Sequence, residues 1–159
     1  MSLRILLFTA ATALSTAPAL AQDETIQIED AYARVSPSGS GAVFMTIHNM
    51  SDQDDRLTGA SVAEDIAERA ELHTHADTDG VMRMIEVKEG FAVPAGGSAQ
   101  LRRGGDHVML MGLKQGLKNG DTFPLILIFE HAPKAEIVVT IDNIRNPEQR
   151  ETHEHSGHR

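Results

Sequence analysis

Between positions 25 and 141 apolar residues come in short runs, many alternating with polar ones, and Gly, Pro, Asn or Asp interrupts them every few residues. Side chains along a strand point to its two faces in turn, so this alternation predicts β-strands with one face inward. The candidate strands are 26–35, 42–48, 56–61, 70–75, 81–87, 91–93, 98–102, 107–113, 123–129 and 135–141. In 42–48, Val43, Met45 and Ile47 share one face, and Phe44, Thr46 and His48 the other. Leu125, Leu127 and Phe129 alternate with Pro124, Ile126 and Ile128, which predicts a strand that is apolar on both sides and well buried. Pro124 has no N–H to give a ladder, so it belongs at the start of that strand or on an edge. Turn signals such as Ser36-Pro37-Ser38-Gly39 and Asn119-Gly120-Asp121 separate the runs, and only 62–69 has room for a brief helical turn. Many short strands with frequent turns predict an all-β fold, an antiparallel sandwich or barrel.

Both ends of the chain break the pattern. Arg4 is followed by a short apolar run, 5–14, and then by Ala19-Leu20-Ala21 before Gln22. One positive charge, a short apolar core and a small-x-small cleavage site predict a secretory signal over 1–21, too short to be a stable membrane span. The β domain is then 22–145, and the expected location is the periplasm. Residues 146–159 are polar, carry His153, His155 and His158 and offer nothing apolar to dock, so disorder is expected there.

Charge and cysteine usage narrow the function. With 14 Lys and Arg against 23 Asp and Glu, the formal net charge is −9, a poor match for nucleic acid or an anionic membrane. The chain has no cysteine. Stability must then come from the core without disulfides, and blue-copper electron transfer and thiol-disulfide exchange both lose their essential thiolate.

The candidate chemistry lies in 71–111, which holds His73, His75, Met82, Met84, His107, Met109 and Met111. On strands, His73 shares a face with His75, Met82 with Met84, and His107 with Met109 and Met111. For any one of these residues alone, a core methionine or a surface histidine is the ordinary reading. Clustering changes that, because four of the seven methionines fall in two short segments. Soft thioether sulfur combined with imidazole suits Cu(I) far better than Mg²⁺, Ca²⁺ or a catalytic Zn²⁺. The best ligand candidates are His73, Met84 and the His107-x-Met109 pair.

The segments Glu71-Leu72-His73-Thr74, Gly80-Val81-Met82-Arg83-Met84, Val93-Pro94-Ala95-Gly96-Gly97 and Gly104-Gly105-Asp106-His107-Val108-Met109-Leu110-Met111-Gly112-Leu113 resemble the periplasmic copper chaperone family PCu(A)C. That family's pattern is His, ten residues, Met, twenty-one residues, then His-x-Met. Here ten residues separate His73 from Met84, and twenty-two separate Met84 from His107, so the extra one is assigned to the turn at 88–90. The resemblance implies a cupredoxin-like Greek-key β-barrel that is not an enzyme, with His73, Met84, His107 and Met109 as Cu(I) ligands. It also implies delivery of copper to the copper-site subunit of cytochrome c oxidase or to another copper chaperone.

His75 stands where many relatives have methionine, and it is read as an alternative ligand, a group behind the ligands, a ligand for oxidised copper, or a plain polar strand residue. Met82 and Met111 are assigned to the core or the site rim, and His48 and His131 to the surface. The tail histidines His153, His155 and His158 are candidates for Cu(II). Two rivals are kept. One is a periplasmic copper or zinc buffer without a dedicated recipient. The other is a cupin-like metal enzyme, suggested by His73-x-His75 but opposed by Asp79 standing where that family's first motif has glutamate.

Overall fold

The computed structural model describes residues 25–114 and 116–145. The expected signal at 1–21 and the tail at 146–159 lie outside them. Ten strands form in chain order: β1 (Ile26–Ser36), β2 (Ser40–Asn49), β3 (Asp55–Val62), β4 (Arg69–Thr78), β5 (Val81–Glu86), β6 (Phe91–Val93), β7 (Ser98–Leu101), β8 (His107–Met111), β9 (Thr122–Phe129) and β10 (Ala135–Ile141). Each overlaps one predicted run. Where a helical turn had room, the chain makes a tight turn, with Ile66 and Ala67 donating N–H to the carbonyl of Ala63.

Hydrogen bonding links the strands in the order β5-β4-β8-β2-β1-β10-β9-β3-β6, with β7 added beside β2. One edge of β2 is divided between two partners, β8 against Ser40 to Val43 and β7 against Met45 to His48. The other edge pairs with β1 throughout. β3 and β4 also pack together, so the sheet folds over on itself as a sandwich.

Among the described residues all pairings but one are antiparallel, as the alternation predicted. The exception is β1 with β10, which run parallel through Tyr32↔Thr140 and Ala33↔Ile141. It begins just past a bulge in β1, where the register shifts between Glu29 and Tyr32 and Asp30 takes φ 60°. A bulge adds a residue and bends its strand, which lets β1 leave a partnership with β2 alone and join both halves of the sandwich.

The core between the layers includes Ile47, Leu57, Leu110, Phe123, Leu125 and Ile141, all fully buried. Each contributes roughly 1.5–3 kcal/mol relative to exposure, so the core alone can hold a fold that has no disulfide. In β9, Phe123, Leu125, Leu127 and Phe129 are buried while Ile126 and Ile128 are partly covered on the other side. Pro124 lies one residue beyond the last β3 partner, Leu125, so its missing N–H interrupts no ladder on that side.

The turn between β5 and β6, where the extra residue was placed, is tight. Gly90 has φ 78°, and a Cβ there would lie 2.2 Å from the Leu57 carbonyl oxygen. Only glycine satisfies both conditions.

Candidate metal centre

The edge β5-β4-β8 brings the predicted residues together through register. His73 stands opposite His107 on one side and Glu86 on the other, His75 stands opposite Met84, and Glu71 stands opposite Met109. Directly paired residues share a face, so His73, His75, His107, Met84, Met109 and Glu71 all lie on one side of the sheet. The reverse side carries Leu72, Val108 and Leu110 into the core. A one-residue slip in any of these strands would exchange the two sets.

Imidazoles occupy the middle of the arrangement. The His107 ring centroid is 6.2 Å from that of His73 and 5.4 Å from that of His75. Phe44 packs beside His107 at 6.1 Å and Tyr32 beside Phe44 at 5.2 Å, giving the cluster an apolar flank. The guanidinium of Arg145 lies 4.2 Å above the Tyr32 ring and pairs with Asp30.

His107 is 1 % exposed, and its Nδ1 is 2.9 Å from the Gly105 carbonyl oxygen. A carbonyl only accepts, so Nδ1 carries the hydrogen and Nε2 keeps its lone pair. Burial lowers the pKa of His107, the bond to Gly105 opposes that, and the neighbouring His75 and His73 lower it further. The ring is thus neutral at neutral pH, the form a metal requires. Among the described residues, three buried side-chain N or O atoms have no hydrogen-bond partner, and two are His107 Nε2 and His73 Nδ1. The third is His48 Nε2, 3.3 Å from Glu29 and paired with neither β4 nor β8.

The thioethers stand on either side of this cluster. Met84 is 45 % exposed on the outermost strand, and Met109 is half-buried beside Glu71. Among the described residues no group of three or more His, Cys, Asp or Glu is arranged to hold a metal ion, and a donor set drawn from this face would combine imidazole with thioether. That donor set favours a soft monovalent ion.

Other expectations need adjustment. Met82 is 59 % exposed, which places it on the rim and not in the core, while Met111 is half-buried. His131 is on the surface as expected, but His48 is half-buried. His153, His155 and His158 lie outside the described residues. Sequence reasoning passed over Glu71, whose carboxylate is 3.1 Å from His73 Nε2. The available signal was its place two residues before His73, on the same strand face. A cavity of about 950 Å³ between the start of β1 and the start of β10 is lined by Ile26, Ile28, Ala135 and Ile137 among others and none of the imidazoles of the cluster.

A cupredoxin-like sandwich with a His- and Met-lined edge defines a class, that of PCuAC-type domains. The copper-bound PCuAC domain from PmoF2 superposes with a TM-score of 0.59 at 22% identity, covering 74% of this chain and 92% of that one. Apo-DR1885 from Deinococcus radiodurans gives a TM-score of 0.57 at 32% identity over 92% of this chain and 99% of that one. The Cu(I) form of DR1885 gives 0.56 at 31% identity, over 78% and 84%. A putative lipoprotein of Leifsonia xyli, Lxx21020, is 31% identical over 120 residues, which is 76% of this chain and 71% of that protein. The family described as "Putative lipoprotein LpqE-like" matches residues 26–141, and the chain belongs to that family.

Proposed function

We propose that this protein is an exported copper chaperone that takes Cu(I) through His73, Met84, His107 and Met109. The observation that carries this reading is the pair of buried, unpartnered nitrogens, His73 Nδ1 and His107 Nε2, on strands in direct register, with thioethers on the same face at either side. A buried polar atom without a partner is unfavourable unless something completes it, and a soft cation between these donors would do so. The similarity to the Cu(I) form of DR1885 supports the choice of ion. All four ligands are neutral. They hold a monovalent ion without the grip of thiolates, which suits a protein that must give its cargo away.

Met84 sits on an exposed edge strand, so a docked partner can replace the ligands one at a time, starting from that side. The intended recipient is the copper-site subunit of cytochrome c oxidase, or another copper chaperone upstream of it. The test is transfer. Cu(I)-loaded protein is mixed with an apo oxidase copper domain, and copper appearing on that domain supports delivery. Tight binding without transfer would instead make the protein a periplasmic buffer.

A second reading concerns oxidised copper. The His75 ring lies closer to His107 than the His73 ring does, so His75 is a donor for Cu(II) or an alternative donor for Cu(I). The histidines His153, His155 and His158 supply further imidazole donors suited to Cu(II).

A further inference from the structure

The proposed copper site says which residues bind but not which nitrogen of each imidazole, and the surroundings of His73 supply that. Glu71 Oε2 lies 3.1 Å from His73 Nε2, while its other oxygen, Oε1, lies 2.7 Å from Arg69 Nε. Arg69, Glu71 and His73 alternate along β4 and so share the site face. The guanidinium holds the carboxylate in place, and a carboxylate only accepts hydrogen bonds. His73 must therefore carry its hydrogen on Nε2. A doubly protonated ring would bury a second N–H, at Nδ1, with no acceptor. His107 has the opposite arrangement, with Nδ1 bonded to Gly105 and Nε2 open.

We propose that Glu71, braced by Arg69, is a positioning residue that fixes His73 in the Nε2–H form, so that copper is taken through Nδ1 of His73 and Nε2 of His107. The same ion pair keeps the carboxylate occupied, so a hard anionic donor standing next to Met109 in register stays off the cargo. Partners of this kind orient a metal-binding imidazole and raise its basicity, and their loss weakens metal affinity by about 10- to 100-fold.

This inference rests on the Cu(I) site proposed above, but its first test needs no metal. Long-range ¹H–¹⁵N correlation spectra of the apo protein read the tautomer of each histidine directly. The expected result is Nε2–H for His73 and Nδ1–H for His107. Glu71→Ala should release His73 from that form and lower Cu(I) affinity about 10- to 100-fold by chelator competition. Glu71→Gln, whose amide oxygen can still accept from Nε2–H, should keep both the tautomer and most of the affinity. A structural role for Glu71 would not give that split. On adding Cu(I), the nitrogens that shift should be His73 Nδ1 and His107 Nε2. An Nδ1–H tautomer at His73 in the wild type, or an unchanged tautomer in Glu71→Ala, overturns the proposal. Should Glu71→Ala fail to fold, the wild-type tautomer and the nitrogen shifted by Cu(I) still decide. Cu(I) binding that shifts His73 Nε2 overturns the role of Glu71 alone, whereas binding that touches neither imidazole overturns the site itself.

Discussion

Two buried polar clusters in this protein are built to opposite rules. In the first, Asn49 is 1 % and Asp55 8 % exposed, and both are fully engaged. The Asn49 amide donates to the carbonyls of Gln53 and Val93 while its oxygen accepts from Ser51, and the Asp55 carboxylate accepts N–H bonds from Arg56, His131 and Ala132. This cluster ties the start of β3 to the turn before β10. In the second, His107 is 1 % exposed and the His73 side chain 12 %, yet each leaves one buried ring nitrogen without a hydrogen-bond partner, on the same side of the sheet. Saturated bonding fits a group that holds the fold, and the unpartnered nitrogens fit the ligand role proposed for His73 and His107.

Substitutions can break that contrast. The largest effect is expected at Asp55→Ala, which strands several N–H groups and should lower stability by about 3 kcal/mol in a denaturant titration, without altering Cu(I) affinity per folded molecule. His107→Leu should do the reverse, abolishing tight Cu(I) binding while changing stability by less than about 1 kcal/mol, because an unpartnered buried nitrogen is removed along with one hydrogen bond. A large loss of stability in His107→Leu would make the second cluster structural like the first.

The thioethers come next. Met84→Ala or Met109→Ala should weaken Cu(I) binding at least about tenfold, equivalent to roughly 1.4 kcal/mol, as measured by competition with a chromophoric chelator. Because Met84 is exposed, its loss should leave the melting temperature nearly unchanged. Unaltered affinity in both variants would remove sulfur from the site.

Acid sharpens the comparison further. Burial raises the pKa of Asp55, but the N–H bonds from Arg56, Ala132 and His131 outweigh it and leave the folded value below the ordinary one. A depressed carboxyl pKa contributes stability that is fully present above the unfolded value of about 3.9 and is lost as pH falls through the lower folded value. Asp55→Asn should therefore flatten the stability curve below about pH 4. The smallest effect is reserved for deletion of 146–159, expected to lower Cu(II) stoichiometry in a titration and leave Cu(I) binding intact.

Much of this was legible in the sequence, for a definite reason. Alternation at period two is local, so all ten strands could be read from 26–141, and the same parity put His73 with His75, Met82 with Met84, and His107 with Met109 and Met111, each set on one face of its own strand. What escaped depended on partners far apart along the chain. The parallel join of β1 to β10 follows from a bulge at Asp30, a residue with no glycine or proline to announce it. The burial of Asp55 depends on His131 and Ala132, more than seventy residues away. His75 was left undecided because its nearness to His107 comes from β8 packing against β4, which no spacing within one strand reveals.

Among the described residues β5 has a neighbour on one side only, and it keeps no residue buried. A strand so placed can fray while the sandwich beneath stays closed, because little apolar contact is lost when it lifts. At the proposed site, letting go of the metal would then demand only that a hairpin breathe, and unloading would draw on a few residues at the margin and not on the stability of the whole domain.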